Sequence, residues 1–153
     1  MRRLAWVLLA SMGSICSGQV IKIRVLDIKN THPLANLHVS LSLLYAKGEK
    51  APATHDGVLD AKTDASGEAH FGLLEPAPVL ISAFVELPSD LWRCGCSVPM
   101  RTQDVVDKGA VGPRPPKSSG KPAKLVRAAP GEIVLLVRPP TMVERILAPL
   151  LRE

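Results

Sequence analysis

Apolar and polar side chains alternate along much of the chain with a period of two. Isoleucine and valine occupy every second position of residues 21–25, with lysine and arginine between them. Residues 37–43 alternate leucine and valine with histidine and serine in the same way. A period of two is typical of a β-strand that buries one face. Alternation and short apolar runs predict further strands over residues 58–63, 68–73, 79–87 and 132–138.

Turn-forming residues separate these predicted strands. Asn-Thr-His-Pro fills residues 30–33, and Glu-Pro-Ala-Pro fills residues 75–78. Asp-Ala-Ser-Gly at residues 64–67 predicts a tight turn in which Gly67 adopts a positive φ, so that the two flanking strands form a hairpin. About six to seven short strands at this spacing predict an all-β fold, a sandwich or a barrel rather than a helical bundle.

A short helix and a long linker are predicted in the second half of the chain. Thr102 is the expected cap of a helix over residues 103–108, and Gly109 suits its left-handed exit. Residues 110–131 are rich in Pro, Gly, Ser and Lys, which is typical of a loop or flexible linker. From residue 108 to residue 127 there are six basic side chains and no acidic one. We interpret this run as a soluble linker, with contact to anionic envelope polymers or lipid headgroups as the alternative.

The C-terminus is predicted to form a short amphipathic helix over residues 141–153. Thr141 and Glu144 have the spacing of a capping box. Four apolar residues follow helical spacing along one face, namely Val143, Ile146, Leu147 and Leu150. We expect this face to dock on the protein's own sandwich, and we keep its residues as candidate partner contacts. The balanced charge of the helix disfavours a membrane surface.

The N-terminus has the layout of a secretory signal peptide. Two arginines precede an apolar run over residues 4–12, and residues 13–18 are small and weakly polar. The run is too short to span a bilayer comfortably, so we predict a signal peptide over residues 1–18 whose cleavage leaves Gln19 first. A lipid anchor at Cys16 and a retained membrane anchor are less favoured alternatives. The expected location is therefore the periplasm or the extracellular space.

Removal of the signal peptide leaves one modest domain. Without these 18 residues, 135 of the 153 remain, and the loss of Arg2 and Arg3 lowers the formal net charge from +5 to about +3. No second apolar run is long enough to cross a membrane. The predicted segments are a sandwich core over 19–109, the linker over 110–131, a closing strand over 132–140 and the helix over 141–153.

The stretch over residues 25–71 resembles carboxypeptidase regulatory-like domains. The resemblance lies in Asp27, in Pro-Leu-Ala at residues 33–35, and above all in the Thr-Asp-x-x-Gly-x-x-x-Phe element of residues 63–71. It spans 47 of the 135 residues of the mature chain and implies a prealbumin-like, immunoglobulin-like β-sandwich, shared with transthyretin-like and collagen-adhesin B-type repeats. In such domains this element forms a hairpin whose phenylalanine, here Phe71, fills the core.

For function, the resemblance implies non-catalytic modules used in cell-surface scaffolding, adhesion or carbohydrate contact. The chain's end, over residues 131–134 and 143–147, also looks like the tail of uncharacterised exported bacterial proteins built on this domain. Some collagen-adhesin B-type domains carry a Lys–Asn crosslink assisted by an acid, and Lys22 and Glu86 match two of these roles. Residues 132–138 contain no Asn or Asp, so we expect no crosslink.

Cys94-Gly95-Cys96 is the most unusual local motif. Two cysteines of an exported protein are expected to pair, and Gly95 gives the backbone the freedom that so small a ring requires. We predict a Cys94–Cys96 disulfide that acts as a local staple. Redox exchange, metal binding and intermolecular pairing remain alternatives, although the usual redox motif has two residues between its cysteines.

The sequence contains no other motif typical of catalysis or of metal binding. The four histidines are not spaced as a ligand pair, and Asp56, Asp60 and Asp64 lack the glycine and the closing glutamate of a calcium loop. No nucleophile elbow or phosphate-binding glycine loop is present. Nucleic-acid binding is improbable because no aromatic residues stand among the basic ones. We therefore expect no enzyme activity, no cofactor and no metal.

These observations lead to one functional expectation and one alternative. The expected role is a non-catalytic structural or interaction module of the bacterial cell envelope that contacts an unknown protein or an envelope polymer such as a carbohydrate. Trp92 and Tyr45 are the aromatic candidates for such contact. The alternative is a periplasmic thiol–disulfide or metal-handling protein that uses the Cys-Gly-Cys motif.

Overall fold

The computed structural model describes residues 18–50, 57–88, 96–113 and 125–147. The predicted signal peptide, apart from Gly18, lies outside these ranges. So do Trp92, Cys94 and Leu150, as well as the side chain of Leu147. The predictions made for those residues therefore stay predictions.

Eight strands and two short helices make up the described chain. The strands are β1 (Val20–Asp27), β2 (His38–Leu44), β3 (Val58–Lys62), β4 (Glu68–Gly72), β5 (Leu80–Glu86), β6 (Met100–Arg101), β7 (Ala110–Val111) and β8 (Glu132–Val137). The helices are α1 (Thr102–Lys108) and α2 (Met142–Leu147). The six longer strands match the predicted ones to within two residues at each end.

The strands form two four-stranded sheets, which confirms the prediction of an all-β sandwich. The first sheet has the order β4-β1-β8-β7, and the second has the order β3-β2-β5-β6. The first and last long strands, β1 and β8, are parallel neighbours, with Lys22 opposite Glu132 and Asp27 opposite Val137. Strand β7 is also parallel to β8, and the other pairs are antiparallel.

One apolar core fills the space between the sheets. The inward positions of β1, β2, β5 and β8 are almost all fully buried, as their period of two predicts. The largest of these side chains are Ile21, Ile23, Leu41, Ile81, Ile133 and Leu135. Phe71 on β4 also lies in this core, and Val105 of α1 closes it at one end.

The turn at residues 64–67 is confirmed, but the hairpin predicted around it is wrong. Gly67 has a φ of 71°, and an added Cβ would lie 2.9 Å from the carbonyl oxygen of Val25. The Asp64 carboxylate accepts hydrogen bonds from the backbone N–H groups of Ser66 and Glu68, at 2.8 and 2.9 Å. Strand β3, however, pairs with β2 in one sheet, and β4 pairs with β1 in the other. Local residues determine the chain reversal, whereas the pairing partners are supplied by strands distant in sequence.

Helix α1 is confirmed, but its predicted cap is wrong. Arg101 occupies the N-cap position and makes no side-chain cap hydrogen bond, while Thr102 is the first helical residue and is buried. The reason is that β6 runs directly into the helix, so the chain turns one residue earlier than expected. Gly109 ends the helix with a φ of 70°, and an added Cβ would clash with the Ala129 carbonyl oxygen.

Two very short strands were not predicted. Strand β6 pairs with the start of β5, and β7 pairs with β8 inside the range predicted as a linker. Two residues are too few to show a period in the sequence.

Helix α2 begins with the predicted capping box. The backbone N–H of Thr141 donates to Glu144 Oε2 at 2.7 Å, and the N–H of Glu144 donates to Thr141 Oγ1 at 3.3 Å. Within the described ranges, no helix has the length and apolar character needed to cross a membrane.

Candidate functional site

The outer face of the first sheet is covered by the chain itself. Leu26 on β1 and Val134 and Leu136 on β8 point away from the main core, yet all three are buried. Val126 and Ala128 pack against them and form a second, smaller apolar cluster. We call residues 125–130 the covering segment. It covers the β8 side of this face, whereas Val20 on β1 and His70 on β4 stay exposed.

A buried carboxylate anchors the covering segment. Glu132 has a side chain only 3% exposed, and its Oε2 accepts a hydrogen bond from the Ala129 N–H at 2.8 Å. Its Oε1 lies 2.9 Å from Arg24 Nε and 3.2 Å from Lys22 Nζ. Burial alone would raise the pKa of Glu132, but the Ala129 hydrogen bond and the Lys22 and Arg24 charges together hold that pKa below its usual value.

Lys22 links this carboxylate to a second one. Its Nζ lies 3.1 Å from Glu68 Oε1, and the Glu68 and Glu132 hydrogen bonds raise the pKa of the Lys22 amine. Glu86, named with Lys22 as a crosslink candidate, lies on the outer face of the other sheet, opposite His38. The two residues therefore do not form one site. The charged groups around Glu132 neutralise one another, and we assign them a role in stabilising the fold.

Within the described residues, no segment covers the outer face of the second sheet. Its side chains come from the outward positions of β2, β3 and β5, and the strand register arranges them in rows. We call this surface the open face. Its members are Lys62, His38 and Glu86 in the first row, Asp60, Ser40 and Phe84 in the second, Val58, Ser42 and Ser82 in the third, and Leu44 and Leu80 in the fourth.

Paired polar groups and one aromatic ring occupy the first two rows. Ser40 Oγ donates a hydrogen bond to Asp60 Oδ1 at 2.6 Å, and His38 Nδ1 lies 3.4 Å from Glu86 Oε2. Phe84 stands beside Ser40 and is 41% exposed, a large fraction for a phenylalanine within a strand. The open face thus offers hydroxyl, carboxylate and imidazole groups next to an apolar ring.

Phe84 was missed as a contact candidate, although the sequence contained the signal. On β5 it lies two residues from Ser82 and from Glu86, which are not buried, and it alternates with the buried Ile81, Ala83 and Val85. Period-two alternation therefore places it on the polar side of the strand. The serines of β2 are placed on the same side by the same argument.

The predicted contact residues differ in how far the structure buries them. Tyr45 is half-buried against the main core, and burial raises the pKa of its phenol. Val143 and Ile146 on α2 are 62% and 66% exposed, so the sandwich does not cover these two members of the predicted apolar face. Leu150 and Trp92 lie outside the described ranges, as does the side chain of Leu147.

Cys96 lies at the margin of the open face. It forms an isolated antiparallel bridge with Phe84 and carries an exposed free thiol. Cys94 is outside the described ranges, so the predicted Cys94–Cys96 disulfide has no support from the structure and stays a prediction. Among the residues that the structure describes, no three His, Cys, Asp or Glu side chains are grouped as a metal site.

Comparisons of the chain with protein-family models, with curated proteins and with solved structures found no match. The resemblance to carboxypeptidase regulatory-like domains therefore remains an expectation based on residues 25–71. The open face is accordingly characterised by its geometry and its chemistry alone.

Proposed function

We propose that this protein is an exported, non-catalytic interaction module of the bacterial cell envelope, which binds its partner through the open face. One observation carries the proposal. Residues 125–130 cover the β8 side of the outer face of one sheet, whereas the outer face of the other presents an exposed aromatic ring among polar side chains. An exposed aromatic residue beside hydrogen-bonding groups is a common feature of binding surfaces.

The turn element agrees with the proposed prealbumin-like family in its core phenylalanine, although the strands on either side of it lie in different sheets and do not form the implied hairpin. Phe71 fills the core, as the resemblance implies. Thr63 Oγ1 donates to the Leu34 carbonyl at 2.8 Å and accepts the Leu37 N–H at 3.0 Å, which ties the turn to the connection between β1 and β2. The element therefore acts as a folding signature, in agreement with a scaffold whose function lies on its surface.

The start of the sheet is compatible with the proposed export. Gln19, the expected first residue after cleavage, already takes part in the first sheet, because its carbonyl accepts the Leu73 N–H at 2.7 Å. Cleavage after Gly18 would leave every residue of β1 in the mature protein. The signal-peptide proposal itself rests on the charged, apolar and small regions of residues 1–18.

Two measurements test the proposed function. The first is the intact mass of the protein exported from a bacterium that expresses the full chain, with and without reduction and alkylation. We expect a mass that begins at Gln19 and two thiols that react only after reduction. A product that keeps residues 1–18 would contradict export by a cleaved signal.

The second measurement is co-sedimentation of the purified protein with isolated cell envelopes. We expect Phe84→Ala to reduce the bound fraction at least about fivefold, and Leu125→Ala to leave it unchanged. Leu125 is the matched control because it is an exposed apolar residue on the covered side of the molecule. Equal binding by the two variants would rule out the open face as the contact surface.

The alternative function is thiol–disulfide exchange or metal handling at Cys94-Gly95-Cys96. The exposed thiol of Cys96 beside Phe84 is the observation that favours it. A wild-type protein that reduces or oxidises a dithiol substrate, or that retains metal on purification, would favour this alternative if a Cys96→Ser variant lost the property.

A further inference from the structure

We propose that the partner of the open face is a neutral, hydroxyl-rich carbohydrate chain. This inference rests on the proposed function and names the chemical class of the ligand. It is derived from the shape, the charge and the hydrogen-bonding groups of the face.

The face is long and narrow, which suits an extended polymer. Strand β2 runs along its middle, and the distance from His38 to Leu44 along a strand is about 20 Å. The three strands that contribute side chains span about 10 Å across. The four rows thus form a strip that follows β2, with no covering segment over the described part of it.

The face carries no excess of positive charge. Its charged members are Lys62 and Asp60 on β3 and Glu86 at the end of β5, which give a formal charge of −1. Arg101 on β6 lies beside the face, because it is opposite Leu80, and with it the formal charge is zero. The whole chain carries +5, or about +3 without residues 1–18. A surface built for an anionic polymer would show an excess of lysine and arginine, so charge complementarity favours a neutral ligand.

The hydrogen-bonding groups of the face match sugar hydroxyls. A serine hydroxyl both donates and accepts, and a carboxylate accepts from up to four directions. Ser40 already donates to Asp60, which leaves the lone pairs of its oxygen and the second carboxylate oxygen for a ligand. Ser42 and Ser82 lie directly opposite each other in the next row and add two more hydroxyl groups.

Phe84 supplies the apolar part of such a site. The face of an aromatic ring carries partial negative charge and attracts the slightly positive C–H groups of a sugar ring. Its exposed ring lies in the same row as Ser40 and Asp60. A ligand that lies across this row contacts the ring and both polar groups together.

The experiment is a titration of the isotope-labelled protein followed by its backbone amide NMR signals. The probes are the neutral and the acidic fractions of envelope polysaccharide from the producing bacterium, separated by anion exchange, with both fractions at equal sugar concentration. We expect the neutral fraction to shift the signals of β2, β3 and β5 and to leave those of residues 125–130 in place. Short chains are expected to bind with a Kd of about 1 mM, since the face is shallow and only one aromatic ring contributes.

Three variants locate the binding. We expect Phe84→Ala to weaken binding about tenfold, and Asp60→Asn together with Ser40→Ala to weaken it by a similar factor. Leu125→Ala should bind like the wild type. A folded spectrum for each variant shows that the loss is not caused by unfolding, and none of the four altered positions is buried.

Two outcomes would overturn the inference. Signals of the open face that move only with the acidic fraction would identify an anionic polymer as the ligand. Signals that move with neither fraction, in a protein that still sediments with envelopes through Phe84, would indicate a protein partner and leave the proposed function intact. Loss of the Phe84 dependence of sedimentation would instead remove the proposed function itself.

Discussion

The two sheets of this sandwich differ in what lies on their outer faces. On the first sheet, residues 125–130 cross β1 and β8 and bury three outward apolar side chains. On the second sheet, histidine and serine occupy outward positions of β2, and no described segment of the chain covers them. A sheet with apolar residues on both faces needs two covers, whereas a sheet with serines on one face is stable against water. The sequence of each strand thus decides which face remains available for binding.

The cover of the first sheet is also held by charge. Lys22 and Arg24 approach Glu132 from β1, and the Ala129 N–H approaches it from the covering segment. Arg24 additionally donates to the Arg127 carbonyl at 3.4 Å. On the open face, by contrast, the Glu86 carboxylate is largely exposed and its contact with His38 is weak. Similar residue types therefore stabilise the fold on one face and remain free for a ligand on the other.

The largest expected difference between the faces concerns two leucines. Leu136→Ala removes a buried side chain beneath the covering segment and should lower the free energy of unfolding by about 3 kcal/mol. Leu44→Ala removes a 60% exposed side chain from the open face and should change it by less than about 0.5 kcal/mol. Chemical denaturation followed by circular dichroism measures both. Similar losses for the two variants would mean that the faces do not differ in burial.

The next effect concerns two glutamates. Glu132→Gln leaves Lys22 and Arg24 without a charged partner, and we expect it to lower the free energy of unfolding by about 2 kcal/mol. This loss of stability is smaller than that expected for a fully buried ion pair, because about a third of each cationic side chain is exposed. Glu86→Gln on the open face is the matched control and should have almost no effect on stability. A Glu132→Gln variant as stable as this control would show that the cover is held by its apolar contacts alone.

Acid should remove the stabilisation that the ionised Glu132 gives to the covered side of the sandwich. The pKa of Glu132 is lowered on folding from a usual value of 4.5, so its ionised form stabilises the protein above pH 4.5. This contribution is lost as the pH falls below 4.5 towards the lowered pKa. We expect the Glu132→Gln variant to lose less stability than the wild type between pH 5 and about pH 3. Parallel acid profiles for the two proteins would contradict the lowered pKa.

The sequence predicted the parts of this fold that local patterns specify. Period-two alternation and short apolar runs located six strands, and the capping box located α2, because each signal is contained within a few neighbouring residues. The hairpin at residues 64–67 was wrong because the pairing of β3 and β4 depends on β2 and β1. The covering segment lies inside a range whose composition resembles a linker, and only its contacts with Val134 and Leu136 reveal its role.

The open face was only partly predictable. Alternation places Ser40, Ser42 and Phe84 on outward positions, but it does not show whether a face is covered. The near-continuous apolar run of β8 was a usable signal for the cover, since a strand that is apolar on both sides must be buried on both. The pairing of Ser40 with Asp60 depends on the register of β2 with β3, which no local pattern determines.

Phe84→Ala should have a small effect on stability, and it is the variant most informative about function. Phe84→Ala should lower the free energy of unfolding by only about 1 kcal/mol, because 41% of the residue is exposed and it belongs to neither apolar cluster. Its effect on binding should be far larger, since the ring is the exposed aromatic contact in the described part of the open face. Thermal denaturation and envelope co-sedimentation of the same preparation separate the two quantities. A loss of stability comparable to that of Leu136→Ala would assign Phe84 to the scaffold, whereas a stable protein with impaired binding would show that the uncovered sheet is the functional one.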